Sequence, residues 1–463
     1  MNTNMDKTSI PAHRLILAAP KSGSGKTSVS CALMLAFKNA GFDVHAGKCG
    51  PDYIDPMFHR EVLGIPSRNL DSFFSDENDL KRIITEECTK EDSIMLIEGV
   101  MGLYDGLGGT RREASAYDLA VKTGTKILLV IDAKGMGRTL IALIKGMLSE
   151  DHEGLIAGVF LNRISPSYYE IISPLIKEET GLTVAGFLPE DKALRVESRH
   201  LGLKLPSEIS DIRKKYEYAA RLLLEKCDLN DILKICKSSA PLIKQTESPE
   251  FKETPGIFVS GKPVIAIAKD EAFCFYYEDN IKLLKEYGAD IRFFSPLHDK
   301  KLPDDITGLI LGGGYPELYA SKLAANTSML RQIHDAVHSG IHVLAECGGF
   351  MYLQKEMITA DGISNRMCGV LNGSCSMKNK LVRFGYIELK TTEDTPWFKK
   401  NESIKAHEFH YFDCSENGTA LTALKPVGKK EYPCMIMSNT MLCGFPHLYY
   451  PSCKSIVRHF LDI

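Results

Sequence analysis

Hydrophobic residues along this chain gather into short continuous runs that alternate with longer stretches of helical spacing. Residues 15–18, 43–47, 93–97, 126–132, 156–161 and 183–187 read as strands. Between them lie patterns with apolar positions three and four apart, as at Val29, Leu33, Leu35 and Ala36, and again over 139–148. Apolar strands separated by helices predict an α/β fold, a doubly wound parallel sheet covered on both faces. From Glu208 to about Lys237 the pattern turns helical and charged, with Ile209, Ile212, Leu222, Leu223 and Leu224 as packing positions. The following stretch sets Pro241, Pro249, Pro255 and Gly256 among polar residues, which breaks helix and strand alike. The alternation then restarts, with strands at Val264–Ala268, Asp290–Phe294, 309–311 and 342–345 and helices at 280–287 and 330–339. The predicted organisation is a first domain over 1–240, a linker over 241–262 and a second domain over 263–463.

Composition narrows the function classes. A chain of 463 residues exceeds one ordinary core, which also predicts two domains. With 56 Lys plus Arg against 59 Asp plus Glu, a broad nucleic-acid footprint is not expected. No apolar run reaches the roughly 18 to 20 residues of a membrane span, and the N-terminus, with Asp6 and Lys7, lacks the apolar core of a secretion signal. A cytoplasmic protein without membrane attachment is the expectation. The 13 cysteines form no C-x-x-C pair and are scattered through predicted elements, as suits reduced thiols. Neither zinc nor an iron–sulfur cluster is indicated.

The richest chemistry follows the first strand. Ser22-Gly23-Ser24-Gly25-Lys26-Thr27-Ser28 is a small-residue loop between a strand and a helix, the setting of a phosphate cradle. Its glycines let backbone N–H groups turn onto phosphates, Lys26 reaches the terminal ones, and the Thr27 hydroxyl suits magnesium. Ala19 or Pro20 stands where such loops usually carry a first glycine. After the second strand, Lys48, Asp52, Tyr53 and Asp55 occupy a loop at a strand end, where parallel sheets place ligands; its carboxylates could hold magnesium or grip substrate. Glu98 ends another strand, the place for a further magnesium ligand. Asn162 and Arg163 stand directly after the fifth, 156–161, within reach of a nucleotide base.

In the second half, Gly312-Gly313-Gly314 follows one strand and Glu346-Cys347-Gly348-Gly349 another. Cys347, on a sharp strand-to-helix turn, suits a nucleophile whose thiolate the helix dipole favours. The N–H of Gly348, with a second donor from the 312–314 glycines, would form an oxyanion hole. His407, His410 and His447 are the candidate bases, and sequence spacing does not choose among them.

Taken together these motifs resemble the CobB/CbiA family of glutamine-dependent corrinoid and tetrapyrrole a,c-diamide synthases over nearly the whole chain. The residues that carry the resemblance are 22–27, 48–56, 98–106, 161–163, 199–203, 312–317, 346–349, 407–410 and His447. It implies a dethiobiotin-synthetase-like ATPase half, whose members carry variant phosphate loops, and a class I glutamine amidotransferase domain of flavodoxin-like α/β fold. Cys347 then matches the nucleophile, His447 the base, and Gly313, Gly314 and Gly348 the oxyanion donors. Ser22 to Ser28 and Asn162 would bind ATP. Lys48, Asp52, Tyr53 and Asp55 would face the substrate carboxylate, with magnesium on Thr27, Glu98 and Asp52 or Asp55. The usual acid two residues after the histidine is replaced by Tyr449, leaving Glu408 as one substitute. The implied reaction amidates the a and c carboxylates of cobyrinate through acyl phosphates, with ATP and L-glutamine as co-substrates. The same reaction on nickel-sirohydrochlorin or hydrogenobyrinate is the nearest alternative, and a partition-type ATPase with a non-catalytic binding module is one of another class. The resemblance admits a homodimer.

Overall fold

The computed structural model describes residues 9–10, 12–194, 198–199, 202–203, 211–243 and 262–462. The larger part of the predicted linker, 244–261, and His200 and Leu201 of the 199–203 motif lie outside the described residues. The chain divides into two compact units, Met1–Ser248 and Pro249–Ile463.

The first unit is built on a seven-stranded sheet in the spatial order Ser67–Leu70, Asp43–Cys49, Ser93–Glu98, His13–Ala18, Ile127–Asp132, Ile156–Asn162 and Thr183–Leu188. Every pairing in it is parallel. Its central strands are buried on both faces, which explains their unbroken apolar runs. The second and fifth predicted strands extend to Cys49 and Asn162, so Lys48 and Asn162 stand within the sheet at its C-terminal edge. The helical stretch expected through Lys237 is interrupted. Ile212–Lys226 and Leu229–Lys237 are separate helices because Cys227 is extended and the Asp228 side chain caps the second helix on the N–H of Asn230.

The second unit carries a six-stranded sheet, Asp290–Phe294, Val264–Ala268, Gly308–Leu311, His342–Glu346, Met441–Gly444 and Ile436–Met437. The first five are parallel and follow the 2-1-3-4-5 strand order of flavodoxin-like sheets; the sixth is antiparallel. Beside it stands an antiparallel sheet of Glu431–Cys434, Leu421–Leu424, Arg383–Lys390, Ser403–His410 and His447–Leu448. The residues 407–410 therefore belong to a strand.

Candidate functional site

Two polar clusters, one in each unit, collect the candidate residues. In the first unit the phosphate loop turns at Gly23 and Gly25, both at positive φ, and Gly25 caps the Lys26–Asn39 helix in a left-handed conformation. Neither Ala19 nor Pro20 has a positive φ, so that edge of the loop does not need glycine. Instead Ala19 O accepts the N–H of Leu103 (2.8 Å), fastening the loop to the segment that follows Glu98. Lys26 Nζ donates to Met101 O at 2.5 Å, and burial, then the nearby Lys48, bring its pKa down to about 8. A side chain on Gly25 would lie 2.1 Å from Asn162 Nδ2, which donates to Ser24 O at 3.0 Å. Asn162 thus braces the loop, while Arg163 pairs with Asp132 (2.8 Å). Both line a cavity of about 300 Å³ bounded also by Ser28, Pro189, Glu190 and Tyr216.

At the neighbouring strand ends, Thr27 donates to Glu98 Oε1 at 2.5 Å, and Lys48 Nζ reaches Asp55, Glu98 Oε1 (3.2 Å) and Asp52 (3.9 Å). Burial opposes the Lys48 charge, but Asp55 and Glu98 outweigh it and hold the ammonium. Burial likewise opposes ionisation of Glu98, yet Lys48, His59 and Thr27 keep its carboxyl well below the usual range. Asp55, pushed up by burial and then by Asp52 and Glu98, takes the opposite course. Asp52 caps the short Ile54–Met57 helix, accepting from Ile54 N (2.8 Å) and Asp55 N (3.2 Å), and Tyr53 precedes that helix.

The donor set fits a magnesium ion. Glu98 Oε2 is buried and, at 3.6 Å from His59 Nε2, makes no hydrogen bond, beside a threonine hydroxyl and further carboxylates. No group of three or more His, Cys, Asp or Glu residues suited to a metal occurs among the described residues, as a cation completed by phosphate and water does not require one.

Sequence reasoning missed His59 and Asn69 here. The helix of Asp55 passes into a π-turn over Phe58–Val62, which sets His59 on Ser67 Oγ (2.9 Å) and towards Glu98. Asn69 holds the 48–56 loop by Gly50 O (3.0 Å) and Asp52 O (2.7 Å). The i, i+4 spacing of Asp55 and His59 was the available signal.

In the second unit Cys347 follows the His342–Glu346 strand with φ 49° and ψ −104°, a strained turn for a side chain other than glycine. Its strand pairs Glu346 with Gly444, so Cys347 and His447 lie one and three residues beyond the ends of adjacent strands. The His447 ring rests on Gly313, where an added Cβ would meet Cε1 at 2.3 Å. A Cβ on Gly348 would stand 3.3 Å from Gly314 N, so the three expected oxyanion glycines converge, and the Gly348 N–H is directed at the Cys347 thiol. Burial and the field of Glu317 push that thiol up, while the Gly348 N–H works the other way. Burial brings His447 down to about 3, leaving a neutral imidazole.

The three histidines differ. His407 is paired with His447 across the Ser403–His410 and His447–Leu448 strands. His410 donates from Nδ1 to Phe412 O (2.6 Å) and stacks on Phe445 (3.9 Å between ring centroids). Glu408 accepts the Tyr432 hydroxyl and lies 4.0 Å from His410 Nε2. Tyr449 donates to Asp279 at 3.0 Å. Glu346, absent from the expected set, is pushed up to about 8 by burial. All 13 cysteines are free thiols, and no described helix is long and apolar enough to cross a membrane.

Comparison with known proteins agrees with this division. Residues 15–203 match the CobQ/CobB/MinD/ParA nucleotide binding domain, and 264–448 the CobB/CobQ-like glutamine amidotransferase domain. A Caldanaerobacter subterraneus protein named cobyrinate a,c-diamide synthase is 37% identical over 452 residues, covering 96% of this chain and 97% of its own. Proteins of the same name from Clostridium tetani and Listeria innocua are 38% and 36% identical, over 86% and 95% of this chain and 86% and 96% of theirs. With both domains present and relatives spanning nearly its full length, the chain belongs to the CobB/CbiA family, and it is a glutamine-dependent ligase.

Proposed function

We propose that the protein amidates the a and c side-chain carboxylates of cobyrinate, using ATP and glutamine, as a cytoplasmic enzyme of cobalamin biosynthesis. The observation that carries the reading is one chain holding a phosphate loop with an acid–lysine cluster, and a strained cysteine and a buried histidine just beyond the ends of adjacent strands, with full-length relatives bearing that name. ATP would lie on residues 22–28, its base in the cavity beside Asn162. A magnesium ion on Thr27, Glu98 and Asp52 would neutralise phosphate charge. A substrate carboxylate oxygen attacks the γ-phosphorus, the bond to ADP breaks, and Lys26 offsets the charge that develops. Lys48, kept cationic by its acids, orients the carboxylate with Asp52, Tyr53 and Asp55.

In the second unit Cys347 gives its proton to His447 and its sulfur attacks the glutamine amide carbon, while Gly313, Gly314 and Gly348 face the oxyanion. His447 returns the proton to the leaving ammonia, and water hydrolyses the thioester to glutamate. Ammonia then attacks the acyl phosphate, and inorganic phosphate leaves. The test is mass spectrometry of products from cobyrinate, nickel-sirohydrochlorin and hydrogenobyrinate supplied separately. Two added amides on cobyrinate, at the highest rate of the three, are expected; preference for another ring would reassign the substrate. Cys347→Ala should abolish the glutamine-supported rate and keep the ammonia-supported one.

A further inference from the structure

A cysteine and a histidine on separate strand ends act together only if their relative placement is fixed, commonly by an acid that orients the imidazole. The carboxyls buried near these strand ends are Asp279, Glu346 and Glu408. Glu408 receives the Tyr432 hydroxyl and Asp279 that of Tyr449. Glu346 has a different position. It is the last residue of its strand, immediately before Cys347, with only 6% of its surface exposed. Its Oε1 accepts the Tyr450 hydroxyl at 2.9 Å, and its carboxyl also takes the backbone N–H of Leu448.

Leu448 and Tyr450 stand one and three residues after His447. The side chain attached next to the nucleophile therefore holds the main chain attached next to the base. Asn280 closes the same segment from the Glu278–Glu286 helix, donating to Leu448 O (2.8 Å) and accepting from Tyr450 N (2.9 Å). Leu448 is thus held at its N–H by Glu346 and at its carbonyl by Asn280, while the His447 ring lies on Gly313. A carboxyl removed from water at this depth is costly unless its bonds do something particular to the place, and these bonds join the two strands that carry the reacting groups.

We propose that Glu346 is a positioning residue of the glutaminase pair, a clasp that sets His447 against Cys347. This rests on the reading of Cys347 and His447 as nucleophile and base. The clasp works by accepting two hydrogen bonds, which predicts how variants rank.

Glutamine hydrolysis by the full chain would be measured for Glu346→Leu, Glu346→Gln and Tyr450→Phe, with thermal unfolding of each. Leucine fills the space and accepts nothing, so kcat should fall about tenfold or more with KM within about threefold. Glutamine still offers an acceptor and should return kcat to within about threefold of wild type. Tyr450→Phe removes one donor and should fall between them. Wild-type kcat in both Glu346→Leu and Tyr450→Phe would overturn the proposal. So would a Glu346→Gln variant as slow as the leucine variant, or losses in which kcat, KM and unfolding midpoint move together. If Glu346→Leu does not fold, the ranking of the other two decides. Cys347→Ala separates the claims: if it still hydrolyses glutamine, the assignment of the pair fails, whereas if it is inactive and the Glu346 variants are wild-type, only the clasp does.

Discussion

Single residues in the second unit are constrained by contact as much as by chemistry. Gly313 lies under the His447 imidazole, and a methyl there would stand 2.3 Å from Cε1, a distance no carbon pair tolerates. Gly313→Ala should displace the ring and reduce glutamine-dependent kcat by about tenfold to a hundredfold. Overpacking costs about 1–3 kcal/mol, so the fold should survive. Steady-state kinetics beside a melting curve checks this, and a wild-type kcat would show that the ring has room to move. His447 also sets a pH dependence of stability. Its pKa is about 3 in the fold against an ordinary 6.5, so the unfolded chain takes the proton first as pH falls. The stability His447 contributes is complete above about 6.5 and is lost progressively towards 3, by up to about 1.4 kcal/mol per pH unit. Denaturant midpoints between pH 7 and 5 should fall less steeply in His447→Gln than in wild type. Cys347 stood out in the sequence as a candidate nucleophile because a cysteine between a strand and two glycines is an uncommon local pattern. Among His407, His410 and His447 sequence spacing did not choose, and only the family resemblance pointed to His447; strand pairing and burial, which separate the three in the fold, leave no mark on local sequence.

At the scale of elements, the parallel strands were readable and the polar ones were not. Ile94, Met95, Leu96 and Ile97 are apolar because both faces of the sheet are covered. Ser67–Leu70 is equally buried yet reads Ser-Arg-Asn-Leu, because Asn69 bonds the 48–56 loop and Ser67 bonds His59. Ser403–His410 alternates in burial like any half-buried strand, but two of its inward positions are Glu408 and His410, which breaks the apolar alternation. Pattern reading fails where the fold spends strands on sites. The first strand shows the same rule with a cation. Arg14 is fully buried and donates to Thr125 Oγ1 (2.9 Å), Ala12 O (2.9 Å), Thr123 O (2.6 Å) and Ala240 O (2.7 Å). It stitches the strand to the end of the Ala116–Thr123 helix and to the tail after the Leu229–Lys237 helix. Arg14→Ala leaves those buried carbonyls unpaired and should destabilise the first unit by about 3–5 kcal/mol, visible as a lowered unfolding midpoint. A change below about 1 kcal/mol would mean that water replaces the guanidinium.

For the whole molecule the proposal divides one reaction between two centres, and that division makes a prediction no single variant can test. Glu98→Ala removes the carboxylate that meets Thr27 and Lys48, so ATP-dependent amidation should cease while glutamine hydrolysis continues at no less than a basal rate. Cys347→Ala should behave in the opposite sense, activating the carboxylate but releasing no ammonia. Neither variant alone should amidate cobyrinate from glutamine. Mixed at saturating glutamine and ATP, they should do so, because the ammonia released by one is the nucleophile the other lacks. The recovered rate should follow the concentration of free ammonia and vanish when an added glutamate dehydrogenase, with 2-oxoglutarate and NADH, consumes it. Amidation by either variant alone would show that its residue is not needed for the step assigned to it. A mixture that stays inactive while added ammonia rescues Cys347→Ala would locate the fault in the Glu98 variant, whose loss would then reach beyond the carboxylate-activating step.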